Sequence, residues 1–374
     1  MTHRLPALDW LRGIVMVLMA IDHASASWNA GRLVTDSPFL YEAGMALPTG
    51  QFLTRWITHL CAPTFLFLAG TSLALSAERR ARAGTPAAAI DRDMLARGLI
   101  ICGLDPLFIS FVWWMGVPLV QVLFAIGASM ILMIPLRRLA TAWHVGIGIG
   151  LLAASEILIG VDVTLNGGSP SLVGGLLLSG GQFPWLLVIY PVLPWMAMMM
   201  LGWTLGRQML AVQGDDPLFR STRRLLTGWG LAALALFAVV RGLNAYGNMR
   251  LLREDGSWIQ WLHFSKYPPA LSFGAFELGL MALLLASLIG VQNRLGDRSR
   301  STNPLLVFGQ TAFFFYLLHI PLLDFSARLL GQHRVLGLGA TYAATLAVLV
   351  VLYPACLWYR RYKAAHRGSW LRFI

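Results

Sequence analysis

Long apolar runs recur from one end of the chain to the other, and they constrain the fold more than any other feature. Each run is about 20 residues long, near the length that an α-helix needs to cross the hydrocarbon core of a bilayer. The runs cover 8–28, 52–77, 95–115, 117–136, 139–160, 183–206, 225–243, 268–291, 304–323 and 335–358. We therefore expect an all-α membrane protein, with residues 1–374 forming a single domain and a single bundle of about ten transmembrane helices.

Composition supports a membrane location and argues against nucleic-acid binding. Charged residues make up 12% of the chain and hydrophobic residues 57%, whereas a soluble domain carries roughly 25% charged residues. The net charge of +12 comes from short basic clusters between apolar runs, and no continuous basic face is visible. Such clusters are typical of orientation charges in membrane loops. The expected partner is the lipid bilayer, with no nucleic acid.

The distribution of basic residues predicts the orientation of the bundle. Along the alternating segments, 21 of the 29 Lys and Arg residues fall on the side that holds both termini. Cytoplasmic loops carry the excess of positive charge in membrane proteins. We therefore expect cytoplasmic termini, with the outer surface formed by 29–51, 161–182, 244–267 and a short turn near Gly331.

Ionisable groups inside the first apolar run are candidates for function, because such groups are costly at membrane depth. Asp9 and Arg12 are three residues apart and can pair on one helix face, as an interfacial ion pair or beside a bound ligand. His23 lies eleven residues beyond Arg12, roughly 16 Å along the axis, toward the outer half. Asp22 is poorly placed to hold the His23 ring, because adjacent helical side chains point about 100° apart.

The second apolar run adds a second histidine near the outer end. Arg55 and His59 share one helix face there, and Asp22 is a candidate to neutralise Arg55. His59 is either a packed, hydrogen-bonded histidine or a second catalytic candidate.

An arginine cluster follows the inner end of the second run and consists of Arg79, Arg80 and Arg82. Orientation charge alone explains such a cluster. A polyphosphate ligand also requires guanidinium groups, because each offers two parallel hydrogen bonds to phosphate oxygens. Both interpretations remain open.

Further polar groups occur in the last third of the chain. Lys266 and Tyr267 precede the Pro268-Pro269 break, where Lys266 either binds an anionic group or extends to the interface, and Tyr267 fits an aromatic belt. His319 follows Tyr316 by three residues on one helix face. Because Pro321 opens the helix backbone nearby, His319 has either a structural hydrogen-bonding role or a chemical one.

Five stretches together resemble a known family. They are LDWLRGIVMVLMAIDH from Leu8, RWITHLCAPTFLFLAGTS from Arg55, YPVLPWMAMMMLGWTLG from Tyr190, KYPPALSF from Lys266 and FGQTAFFFYLLHIPL from Phe308. In this order they resemble the bacterial membrane proteins that carry a heparan-alpha-glucosaminide N-acetyltransferase catalytic domain. The pattern is also similar to the wider transmembrane acyltransferase superfamily.

The resemblance implies roles for several of these residues. It implies that His23 is the catalytic histidine and that Arg12 and the cluster of Arg79, Arg80 and Arg82 hold acyl-CoA. The lysosomal heparan enzyme has its active histidine between spans one and two, in a His-Ala-Ser-Trp-Asn context. Here a similar context runs from His23 to Asn29 at the helix end, so His59 stays a second candidate.

The resemblance implies transfer of an acetyl group across the membrane. Acetyl-CoA, or another acyl-CoA, would bind from the cytoplasm, and a sugar or glycan acceptor with an amine or hydroxyl would enter from outside. His23 would act as general base or carry the acetyl group, with Asp22, Arg55 and His59 in the catalytic cluster. Arg55, His59 or Lys266 would stabilise the oxyanion.

The remaining expectations concern the acceptor site, the location and the rival functions. The expected acceptor-binding residues are Lys266, Tyr267 and His319. No metal is expected, the bacterial inner membrane is the expected location, and a homodimer is left open. The alternative functions are a proton-coupled transporter of a small polar solute, in which Asp22, His23 and His319 relay protons, and a noncatalytic membrane scaffold.

Overall fold

A computed structural model describes residues 5–212, 219–295 and 302–366 as a predominantly helical protein. Its α-helices are α1 Pro6–Trp28, α2 Thr49–Trp56, α3 Cys61–Arg82, α4 Ala87–Leu104, α5 Ser110–Val112, α6 Val122–Leu136, α7 Thr141–Leu165, α8 Leu172–Gly174, α9 Val192–Val212, α10 Arg220–Leu243, α11 Trp258–Leu262, α12 Leu271–Leu295, α13 Pro304–Gln310, α14 Ala312–Leu329 and α15 Leu338–Ala365. One 3₁₀ turn, Ile57–Leu60, joins α2 to α3, and π-helical turns lie at Asp105–Ile109 and Gly175–Ser179.

The structure also contains a small sheet, which the hydropathy pattern did not predict. Its strands are β1 Leu119–Val120, β2 Gly181–Phe183 and β3 Leu186–Val188. They lie in the order β1-β3-β2, with β1 parallel and β2 antiparallel to β3. The predicted span 183–206 therefore begins too early: its first residues form strands, and the helix starts at Val192, directly after Pro191, which has no backbone N–H to donate.

Seven helical segments are long and apolar enough to cross a membrane. They are Thr49–Arg82, Ala87–Val112, Thr141–Leu165, Arg220–Leu243, Leu271–Leu295, Ala312–Leu329 and Leu338–Ala365. The other three predicted spans are also helical. However, α6 has only 15 residues, and α1 and α9 are not among the seven. The all-α membrane class is confirmed, while the count of ten spans and the cytoplasmic termini stay predictions.

Two predicted boundaries differ from the structure. The stretch between the predicted spans 52–77 and 95–115 is largely helical, because α3 continues to Arg82 and α4 begins at Ala87, after Pro86 and in a run of alanines that favours helix. The predicted span 304–323 is broken at Thr311, whose φ and ψ of −119° and 25° leave the helical region. The break separates the short helix α13 from α14.

Close helix contacts position the elements that carry the site. An added Cβ at Gly202 would lie 1.8 Å from the Phe67 carbonyl oxygen, so α9 and α3 touch backbone to backbone. In the same way, an added Cβ at Gly309 would lie 1.8 Å from the Asp9 carbonyl oxygen. Membrane helices associate through such small residues. The two contacts fix α9 against α3 and α13 against α1.

Ion pairs join several helix ends at the arginine-rich end of the bundle. Arg207 Nε in α9 contacts Glu78 of α3 at 2.8 Å, and Arg137 Nε after α6 contacts Asp91 of α4 at 2.8 Å. Arg207 also donates to the carbonyl oxygen of Arg137 at 2.5 Å. The ends of α3, α6 and α9 and the start of α4 therefore lie together at one end.

Candidate active site

Two histidines from distant parts of the sequence meet inside the bundle. His23 Nδ1 of α1 lies 2.7 Å from His319 Nε2 of α14, and the two rings stack with centroids 4.9 Å apart. His319 is fully buried and does not line the central cavity, whereas His23 is half-buried and lines it. The edges of Trp113 and Tyr316 frame the His23 ring, at centroid distances of 5.7 and 6.3 Å.

The Asp22 carboxylate has partners of its own, separate from those of His23. Its Oδ1 accepts hydrogen bonds from Arg32 at 2.9 Å, Arg55 at 2.6 Å and Thr58 at 3.1 Å. The predicted pairing of Asp22 with Arg55 is confirmed. The structure also agrees with the argument that the two adjacent side chains serve different partners.

Asp36, in the segment after α1, joins the other candidates of the second apolar run. Its Oδ2 accepts from Arg55 Nη2 at 2.6 Å and lies 3.1 Å from His59 Nε2. Burial acts to raise the pKa of the Asp36 carboxyl, but Arg55 and the hydrogen bond to His59 outweigh it and hold that pKa well below its usual value. His59 is buried and does not line the cavity, so its contacts are with Asp36 and with the rings of Phe264 and Phe273.

One large cavity, with a volume of about 1190 Å³, is lined by residues from both ends of the bundle. At the arginine-rich end its lining includes Arg12, Ser76, Arg97, Gln310 and Lys363. At the other end its lining includes Phe39, Leu40, Ser169, Pro170, His333 and Arg334. His23 lies between the two sets along α1. The cavity therefore connects the two ends past the histidine.

The arginine-rich end of the cavity offers two guanidinium groups. Arg12 pairs with Asp9 at 2.8 Å, as predicted from their spacing, and donates to Ser72 Oγ. Arg97 of α4 lines the same end of the cavity. In the described part of the chain, Arg97 has no ion pair. Two like charges that face one cavity favour an anion between them.

The arginine cluster at the end of α3 lies outside the lining of the large cavity. Arg80 pairs with Asp93 at 2.9 Å, and Arg82 donates to the Leu210 carbonyl oxygen at 3.5 Å, beside a smaller surface pocket. Neither of these two arginines, nor Arg79, is among the residues that line the large cavity.

Lys266 brings a buried positive charge to the outer part of the cavity. It is 3% exposed, lines the cavity and is anchored by its backbone N–H, which donates to the Asp36 carbonyl oxygen at 2.9 Å. Within the described ranges, its ammonium has no ion pair or hydrogen bond, and it lies 5.2 Å from the centroid of the Tyr267 ring. The Tyr267 hydroxyl lies 3.3 Å from that of Tyr190.

Sequence reasoning missed three residues of this site. Arg32 and Asp36 lie in an irregular segment, where no periodicity shows which side chains point inward. Arg97 lies near the start of the apolar run 95–115 and about two turns before α4 ends at Leu104, and nothing in the sequence showed that its side chain lines the cavity. In the described residues, no group of three or more His, Cys, Asp or Glu side chains is arranged to hold a metal ion.

Comparison with known families identifies the class of protein. The family described as "Heparan-alpha-glucosaminide N-acetyltransferase, catalytic" matches residues 4–239, well over half of the chain. The chain belongs to this family. No curated protein matches the chain at a significant level.

Family membership places the chain among membrane-bound acetyltransferases, and the family uses acetyl-CoA. The matched residues include His23, Arg55 and His59. Lys266 and His319 lie beyond the matched stretch, so the family match says nothing about either, and their link to the site comes from the three-dimensional contacts alone.

Proposed function

We propose that this protein transfers an acetyl group from acetyl-CoA at the arginine-rich, cytoplasmic end to an amine or hydroxyl of a sugar or glycan at the outer end. The observation that carries the proposal is the single cavity, lined at both ends of the bundle, with His23 between them. A soluble acetyltransferase has no need of such an arrangement. Here it lets each substrate enter from its own side.

The donor would enter at the arginine-rich end. Arg12 and Arg97 line the cavity there and would hold the phosphates of acetyl-CoA, since guanidinium groups match phosphate oxygens. The cluster of Arg79, Arg80 and Arg82 would then attract the anionic donor from the cytoplasm through long-range electrostatics. The pantetheine arm would rise through the largely apolar middle of the cavity, bringing the thioester toward His23.

His23 would act as the general base. The acceptor amine or hydroxyl attacks the thioester carbonyl carbon, and His23 Nε2 takes the proton that the acceptor loses. Collapse of the tetrahedral intermediate breaks the carbon–sulfur bond, and the protonated His23 returns the proton to the CoA sulfur. Direct transfer predicts no release of CoA without acceptor. An acetyl-histidine intermediate predicts a burst of CoA equal to the enzyme present.

Lys266 would stabilise the oxyanion of the tetrahedral intermediate. Of the three residues expected in this role, Arg55 is paired with Asp22 and Asp36, and His59 contacts Asp36 and does not line the cavity. Lys266 lines the same cavity as His23. A cation fixed in a water-poor site stabilises developing negative charge without reorganising.

The test compares two histidine variants of the purified full-length protein. With acetyl-CoA and amino-sugar acceptors, His23→Ala should lower acetyl transfer by a factor of at least about 10². The His23→Ala protein should be obtained in wild-type yield and should have the wild-type melting temperature. His59→Ala should retain measurable transfer. Wild-type rates in His23→Ala together with an inactive, folded His59→Ala would overturn the assignment of His23.

The same two-ended cavity also fits the alternative function, a proton-coupled transporter. Reconstituted protein separates the two functions, because a transporter moves solute with a proton gradient and consumes no acyl-CoA. Proton-linked uptake in the absence of acyl-CoA turnover would favour the alternative.

A further inference from the structure

We infer that His319 is a positioning residue that fixes the tautomer of His23, so that the nitrogen of His23 not bound to His319 is an unprotonated base. The catalytic part of this inference rests on the proposed function. The observation behind it is a hydrogen-bonded chain of three groups: Phe315, His319 and His23.

The hydrogen-bonded series begins at a backbone carbonyl group, which can accept a hydrogen bond but cannot donate one. The carbonyl oxygen of Phe315 lies 3.0 Å from His319 Nδ1. A carbonyl has no proton to give, so the proton of this bond belongs to His319 Nδ1. His319 Nε2 then carries a proton only if the ring is an imidazolium.

The surroundings of His319 argue against an imidazolium. The side chain is fully buried, and its polar neighbours among the described residues are the backbone of Phe315 and of Tyr316 and the His23 ring. No carboxylate lies within hydrogen-bond distance of it there, and an uncompensated buried charge is costly. A neutral His319 with its proton on Nδ1 presents Nε2 as an acceptor.

The tautomer of His23 follows from that acceptor. At 2.7 Å from His319 Nε2, His23 Nδ1 must donate the proton of the bond. In neutral His23 the other nitrogen, Nε2, then carries a lone pair. No described residue forms a hydrogen bond with this atom, and the ring lines the cavity. His23 is therefore held in the tautomer that a general base requires.

Packing holds His319 in the orientation that this role needs. Its ring stacks on the Phe315 ring at a centroid distance of 5.1 Å and meets the edge of Tyr316 at 5.7 Å. Both neighbours belong to the same helix, α14. A ring fixed in this way restricts the rotation of its partner, as the orienting residue of a catalytic pair does.

The first experiment reads the tautomer directly in the wild-type protein. Solid-state NMR of reconstituted protein with ¹⁵N-labelled histidine distinguishes protonated from unprotonated ring nitrogens, and His23→Ala and His319→Gln assign the signals. We expect a protonated Nδ1 and an unprotonated Nε2 for His23. The opposite tautomer at neutral pH would overturn the inference, whatever the activity of the protein.

The second experiment separates positioning from structural support. The Gln side chain in His319→Gln can still accept from His23 Nδ1, whereas His319→Leu cannot. We expect His319→Leu to lower kcat at least about tenfold with KM for acetyl-CoA little changed, and His319→Gln to recover much of the loss. An equal decrease in kcat in His319→Leu and His319→Gln, at matched melting temperatures, would contradict the inference.

The activity of His23→Ala distinguishes a failure of this inference from a failure of the proposed function. An inactive His23→Ala with a fully active, folded His319→Leu leaves the proposed function standing and removes the role of His319. A fully active His23→Ala removes the proposed function, while the NMR result still decides the tautomer.

Discussion

Lys266 lines the outer part of the cavity, and its ammonium has no counter-ion contact among the described residues. Lys266 would face the reacting carbonyl, so Lys266→Gln should lower kcat roughly 10²-fold, the loss typical of removing one oxyanion donor. KM for acetyl-CoA should change little. Steady-state kinetics with varied acetyl-CoA measure both parameters.

Lys363, which lines the same cavity at the arginine-rich end, provides the matched control. Lys363→Gln should raise KM for acetyl-CoA and leave kcat near the wild-type value. If Lys266→Gln instead changes only KM for the donor, its charge does not act on the transition state.

Residue-scale contacts were predictable where they depend on helix spacing. The pairs Asp9–Arg12 and Asp22–Arg55 follow from positions on two helices, and both occur in the structure. The contact between His23 and His319 joins residues that are 296 positions apart. No local period encodes such a contact, because it depends on how α14 packs against α1.

The helices depend on glycines for their close contacts. Gly202→Ala in α9 places a methyl group against the carbonyl oxygen of Phe67 in α3. Neither backbone can move without shifting its helix, so we expect destabilisation by about 1–3 kcal/mol, the usual cost of overpacking. A thermal-stability assay in detergent should show a clearly lower melting temperature.

Gly146→Ala provides the matched control, because an added Cβ at Gly146 in α7 meets no atom within 4 Å. Alanine also has the higher helix propensity, so this variant should be at least as stable as the wild type. Equal melting temperatures for the two variants would show that the contact between α9 and α3 is not tight.

At the scale of elements, hydropathy located the helices but not their irregularities. The break at Thr311 coincides with the two polar residues Gln310 and Thr311 in an otherwise apolar run, which a hydropathy average over a whole span does not resolve. The strand β3 is as apolar as the helix α9 that follows it. Apolar character reports burial and not backbone conformation. Short apolar segments therefore remain ambiguous between strand and helix.

For the whole molecule, the predicted orientation can be tested by cysteine labelling. In a variant without the native cysteines, Ala43→Cys should react with a membrane-impermeant maleimide in intact cells, since 43 lies in a predicted outer loop and is exposed. Ala83→Cys, exposed after α3, should react only after permeabilisation. The reverse pattern would invert the topology and the assignment of the two substrates to their sides.

Under the proposed function, the central cavity would keep the two substrates in separate compartments. Under the proposed function, only two carbons and one oxygen cross the hydrophobic barrier, while the bulky, highly charged donor never leaves the cytoplasm. The cell therefore needs no exporter for its activated acetyl groups. Decoration of material outside the cell then follows the supply of acetyl-CoA inside, so this single chain would couple surface chemistry to central metabolism.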